Sequence, residues 1–80
     1  MSIALHILSP EGTLVKAEVD SVSLPGSVSP FTVLKDHGAM VSALVEGNIV
    51  YRLEGREERL AIREGFVEIR DNVVSVCVEV

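Results

Sequence analysis

Few side chains in this 80-residue chain could do chemistry. There are two histidines, His6 and His37, and a single cysteine, Cys77. A zinc site needs three or four imidazole, thiolate or carboxylate donors at short, regular spacings, and these residues are too few and too far apart. Cys77 alternates with Ser75 and Glu79 and has no base beside it in sequence to draw off its proton, so it reads as a structural cysteine rather than a nucleophile. His6 stands among apolar neighbours in an extended stretch, as a core-edge or surface histidine does. His37 falls in the polar run Lys35-Asp36-His37-Gly38, where the roles open to it are shaping a turn or touching a partner. Glu54, Glu57, Glu58, Glu64 and Glu68 could be imagined as acid–base pairs. They are interleaved with Arg52, Arg56, Arg59 and Arg63, so cross-strand charge pairing on a wet face accounts for them better. The glycines are dispersed, one to a turn, and none belongs to a phosphate-cradling loop. This inventory predicts no catalytic residues, no cofactor and no metal, and hence a protein that works by docking.

The elements that would position these residues are short strands. Ile3, Leu5 and Ile7 alternate with Ala4 and His6 until Ser9-Pro10-Glu11-Gly12 turns the chain. Thr13 to Val19 and Val22-Ser23-Leu24 are further extended pieces, the latter stopped by Pro25-Gly26. Ser27 to Pro30 reads as a loop, Phe31 to Leu34 as a strand, and Ala39 to Val45 as an apolar strand. A helix over 38–45 is the competing reading there, but it would be short and β-branched. Beyond Glu46-Gly47-Asn48 the period of two is clean. Ile49, Tyr51 and Leu53 share one face, Leu60 and Ile62 another, then Val67 and Ile69, then Val74, Val76, Val78 and Val80. Gly55, Glu64-Gly65 and Asp71-Asn72 mark the turns between them. Such alternation, punctuated every six to twelve residues, predicts an all-β fold, a small two-sheet β-sandwich of about eight to ten short, mostly antiparallel strands in one domain over residues 1–80.

Composition bounds the function further. The chain is 48% hydrophobic and 24% charged, ordinary for a folded globular domain, and its net charge is −5. Without a Lys/Arg cluster, neither nucleic acid nor an anionic lipid surface is an expected partner. One cysteine permits no intrachain disulfide, and the opening Met1-Ser2-Ile3-Ala4 lacks the basic-then-apolar profile of a leader, so a soluble intracellular domain is expected. Thirteen of the nineteen charged residues fall after position 45. The less charged first half is therefore expected to be partly covered by a partner.

Four segments, in order, carry a family likeness. They are Leu5-His6-Ile7-Leu8-Ser9-Pro10-Glu11-Gly12, then Val19-Asp20-Ser21-Val22-Ser23-Leu24-Pro25-Gly26, then Phe31 through Met40, and last Glu64-Gly65-Phe66-Val67-Glu68-Ile69 with Asn72-Val73-Val74-Ser75-Val76. The chain resembles the N-terminal β-sandwich domain of the epsilon subunit of F-type (rotary) ATP synthase over nearly its whole length. It departs from the pattern at Lys35-Asp36-His37-Gly38-Ala39, where the family's "P-x-H-A-P" has two prolines, and at Ser27-Val28-Ser29-Pro30, where glycine and acidic residues are usual. Family members continue into a regulatory C-terminal helical hairpin that these eighty residues lack. The resemblance implies a non-catalytic rotor part, peripheral to the cytoplasmic face of a bacterial inner membrane or its organellar equivalent, without direct lipid insertion. Its implied partners are the gamma subunit and the membrane c-ring. By position, Ser27, Val28, Ser29 and Pro30, with His37 close by, are the expected c-ring contact. Ser9, Pro10, Ala39, Met40, Val41 and Ser42 are the expected gamma contact, with plain core packing the competing role for Met40 and Val41. The readings kept beside this one are a free-standing sandwich adaptor and a lipoyl- or biotinyl-type carrier. The carrier would display Lys16 or Lys35 at a hairpin tip, and Val33-Leu34-Lys35-Asp36-His37 lacks the flanking motif it needs.

Overall fold

Period-two alternation folds as read. The computed structural model describes residues 2–80; Met1, part of the stretch read for a leader, lies outside them. Nine strands follow in order: β1 (Ile3–Ser9), β2 (Gly12–Val19), β3 (Ser21–Leu24), β4 (Phe31–Val33), β5 (Met40–Leu44), β6 (Gly47–Leu53), β7 (Arg56–Ile62), β8 (Glu64–Arg70) and β9 (Val73–Glu79). They make a five-stranded sheet, β2-β1-β9-β8-β5, and a four-stranded sheet, β4-β3-β6-β7. All pairings between these strands are antiparallel except that of β1 with β9, which is parallel. The expected two-sheet sandwich is therefore the fold, and residues 40–44 are a strand rather than the competing helix.

The sheets close on one apolar layer. Ile3, Leu5 and Ile7 of β1, Val67 and Ile69 of β8, and Val74, Val76 and Val78 of β9 face inward from the five-stranded sheet. Val22, Leu24, Val33, Ile49 and Ile62 meet them from the other, and no polar or charged residue is buried among the described residues. Branched aliphatic side chains suit this arrangement, since each fills the pleat without a polar atom to satisfy. Val80, read as the last member of the β9 face, lies past the strand and is half exposed.

The turns explain the register. Glu54-Gly55 and Asp71-Asn72 are two-residue loops with positive φ at both positions (53° and 77°; 54° and 62°), the conformation whose twist matches paired strands. Asp36 (φ 66°) occupies the third position of a turn closed by the His37 N–H donating to the Leu34 carbonyl at 3.1 Å. One turn differs from expectation. The chain bends at Arg63, not at Glu64-Gly65, and Gly65 lies inside β8 opposite both Leu44 and Val78. A side chain there would collide with the Cys77 carbonyl oxygen and come within 3.1 Å of Val78 Cα. The glycine is needed for close approach of strands, not for reversal.

Candidate functional site

The two outer faces of the sandwich differ in kind. On the four-stranded sheet, Arg52 opposes Glu57 and Val50 opposes Arg59. Glu57 accepts from Arg52 at 2.7 Å and from Arg59 at 2.8 Å, so its two oxygens bridge two strand positions of cation. Ser23 and Thr32 hydroxyls meet at 2.8 Å on the same face. This surface is polar and internally paired, as a water-facing sheet should be.

The outer face of the five-stranded sheet carries an apolar row. Leu8 lies opposite Cys77, Cys77 opposite Phe66, and Phe66 opposite Ala43, so four adjacent strands place these side chains in one line. Leu8 is 43% exposed, Phe66 57% and, one pleat along β5, Val41 72%. Leu14, at the bulge where the β1–β2 register slips after Ile7, adds to it at 41%. Exposed apolar residues scattered singly mean little, so it is the alignment of these residues across four strands that makes this face a candidate docking surface. The Ser9-Pro10 turn, Leu44 and Gly65 frame one end of the row. Together with Leu8, Ala43 and Phe66 they line an open hollow of about 620 Å³.

The structure regroups the residues singled out in the sequence. Ser9 and Pro10 rim the hollow. Val41 points outward onto the same face. Met40 turns inward against the core and Ser42 shares its parity, so those two are not surface contacts of that face; the core role competing for Met40 is the observed one, whereas Val41 is not core. Ala39 is exposed just before β5. Ser27, Val28, Ser29 and Pro30 are all exposed, Val28 at 98%, in a loop held to the end of β5 by the Ser27 N–H donating to the Ala43 carbonyl at 2.9 Å. His37 lies past the other end of β4, separated from Pro30 by the strand Phe31–Val33 and the turn at Leu34–His37. What the two share is β4, the edge strand of the four-stranded sheet that runs between them, not a single loop tip.

The loop bearing His37 is tied down from outside. The Asp36 N–H donates to Asn72 Oδ1 at 2.6 Å, and Asn72 Nδ2 donates to Asp36 Oδ1 at 3.1 Å. The Asn72 hydrogen bond, then Lys35 Nζ at 3.2 Å, hold the Asp36 carboxyl below its ordinary range. A turn without the family's proline is fixed instead by a side chain from the β8–β9 hairpin. His6 lies on the outer face between Lys16 and Ser75. Among the described residues no three His, Cys, Asp or Glu side chains are grouped to hold a metal ion, and no helix is long and apolar enough to cross a membrane.

Phe66 and Leu8 were not among the residues singled out, and Cys77 was read only as a structural cysteine, whereas it is exposed on this face. The alternation of β8 put Phe66 on the wet side with Glu68 and Arg70, and an aromatic at an outward position was itself the available signal.

Residues 2–80 match the family model described as ATP synthase, Delta/Epsilon chain, beta-sandwich domain. The chain belongs to this ATP synthase delta/epsilon family. Among curated relatives, the ATP synthase epsilon chain of Desulfitobacterium hafniense (strain DSM 10664 / DCB-2) is 36% identical over 75 residues, covering 94% of this chain and 57% of the relative. That of Leptospira interrogans serovar copenhageni is 38% identical over 74 residues, covering 92% and 58%. The chain thus spans a little over half the length of these relatives and corresponds to their N-terminal domain. A chain of the Euglena gracilis mitochondrial ATP synthase (OSCP/F1/c-ring) superposes with a TM-score of 0.89 at 22% identity, over 96% of this chain and 50% of that one. A chain of the Tetrahymena thermophila mitochondrial ATP synthase central stalk/c-ring gives 0.83 at 11% identity, over 100% and 65%. At such identities the likeness is one of fold. The delta/epsilon sandwich described here therefore keeps the family's fold and presents one paired polar face and one outer face on which an apolar row runs between polar and charged residues.

Proposed function

We propose that this chain is a non-catalytic central-stalk subunit of an F-type ATP synthase, passing rotation of the membrane c-ring through the gamma subunit toward ATP synthesis. The observation that carries the reading is the apolar row on the outer five-stranded face in a chain of this family. Gamma docks on that face, over Leu8, Phe66, Val41 and the Ser9-Pro10 turn. The c-ring contact is made by the Ser27–Pro30 loop, with His37 past the far end of β4. That loop is bonded to β5 at Ala43, so a load applied to it is delivered into the strand beneath the gamma face. A doubly layered sheet suits transmission of torque, because deforming it must break ladder hydrogen bonds and close packing together. The subunit would sit peripherally at the cytoplasmic side of the membrane, held by protein contacts.

Mixing the chain with its cognate gamma subunit at micromolar concentration and separating the mixture by size tests the reading. Co-elution as one complex is expected. Separate elution of two folded components would overturn it.

A further inference from the structure

The hollow at the end of the apolar row has a charged rim that the rest of the molecule does not explain. Its floor is apolar, built from Leu8, Pro10, Ala43, Phe66 and Val78, and its rim carries Glu64 and Glu79. Those two carboxylates stand directly opposite each other in the β8–β9 ladder. Like charges in that relation repel, which costs the isolated domain stability. Glu54, Glu57 and Glu58 each have an arginine within ion-pair distance, whereas no cation lies within that distance of Glu64 or Glu79 among the described residues. Among the described residues, the neighbouring recess holds one cation, Arg63, which shares it with Glu46, Glu64 and Glu79. Two rim carboxylates, with Glu46 beyond them in that recess, against one guanidinium leave this end of the molecule acidic.

An apolar floor under an acidic rim defines an occupant. We infer that the hollow receives an apolar side chain of the gamma partner flanked by a lysine or arginine. The apolar group fills the space over Phe66 and Leu8, and the cation lies between Glu64 and Glu79, converting a repulsion into two attractions. This rests on the proposed docking to gamma and adds the chemistry that selects the docking segment. A second copy of this chain is a poor occupant, because its net charge is −5 and its own rim is acidic. The hollow's volume of about 620 Å³ gives room for an anchor side chain and its neighbour. Anchors of this kind, apolar at the centre with charge at the edge, carry a disproportionate share of binding energy.

The test uses the chain and its cognate gamma subunit in titration calorimetry at low and high salt, with thermal melts of each variant alone. Glu79→Lys is expected to raise the melting temperature, since it replaces a cross-strand repulsion with a Glu64 pair, while weakening gamma binding about tenfold at low salt and less at high salt. Phe66→Ser is expected to weaken binding by at least about tenfold at both salt concentrations with little change in melting. Opposite signs for stability and binding in Glu79→Lys are what a merely structural glutamate would not give. If wild type binds gamma and both variants bind it equally well, the hollow is not the anchor site although the stalk reading stands. Absence of wild-type binding overturns both. Phe66-dependent self-association in sedimentation would make a second copy the occupant and overturn the inference.

Discussion

Replacing Gly65 with alanine puts a methyl group where three strands meet. Gly65 pairs with Leu44 on one side and Val78 on the other, so neither neighbour can move aside without parting from β8. The added carbon would collide with the Cys77 carbonyl oxygen and stand 3.1 Å from both Val78 Cα and Val78 Cγ1. Two of those three atoms are backbone and cannot rotate away. Overpacking of this sort costs about 1–3 kcal/mol, and the lower entropy of an unfolded alanine returns about 0.4–1 kcal/mol. The net expectation is a loss of roughly 1–2 kcal/mol, or about 5–15 °C in melting temperature for a domain of this size. Gly38→Ala is the matched control, because nothing lies within 4 Å of the new carbon there, and it should be neutral or slightly stabilising. Circular dichroism melts and urea titrations of both variants measure this, with the urea slope expected to stay constant. A Gly65→Ala protein as stable as wild type, or one no less stable than Gly38→Ala, would refute the argument that strand approach dictates this glycine.

Other outcomes follow from the same structure. Ile49→Ala removes most of a fully buried side chain from the four-stranded sheet and should cost about 2–5 kcal/mol, a large part of the ~4–12 kcal/mol expected for eighty residues, visible as a much lower urea midpoint. Glu57→Gln uncouples Arg52 and Arg59 on the exposed face and should cost no more than about 1 kcal/mol, shrinking in high salt. Asp36 has a lowered pKa, so its contribution is fully present above its unfolded value and is lost as the pH falls through the folded one. NMR titration should place Asp36 below the ordinary carboxylate range, and Asn72→Gly should move it upward; no movement would count against the loop tie.

The strands were legible because their residues obey period two and their turns carry residues that tolerate positive φ. Leu53 to Arg56 and Arg70 to Val73 are read almost by inspection, since a two-residue loop leaves no freedom in register. Glu64-Gly65 misled because a glycine beside a charged residue signals a turn, and only the third strand, β5, reveals that Gly65 is there for close approach. The proposed docking surface was half legible. Ser9, Pro10 and Val41 have their places on it, but Leu8, Cys77 and Phe66 become neighbours only through pairings between strands distant in sequence. His37 and Pro30 are seven positions apart, and the extended β4 between them turns sequence nearness into spatial separation.

The parallel pairing of β1 with β9 places the first strand of the chain beside the last, in the middle of the larger sheet. Ile3, Leu5 and Ile7 are made early, yet of the described core residues only Val78 follows their neighbours Val74 and Val76. The early hairpin of β1 and β2 must therefore wait, half its ladder open, until synthesis has passed Glu79. Closing contacts across so much sequence is slow compared with forming hairpins. This sandwich is expected to gain its stability in a single late step, with the nascent β1–β2 hairpin exposed to chaperones, or to stray strands, for most of its birth.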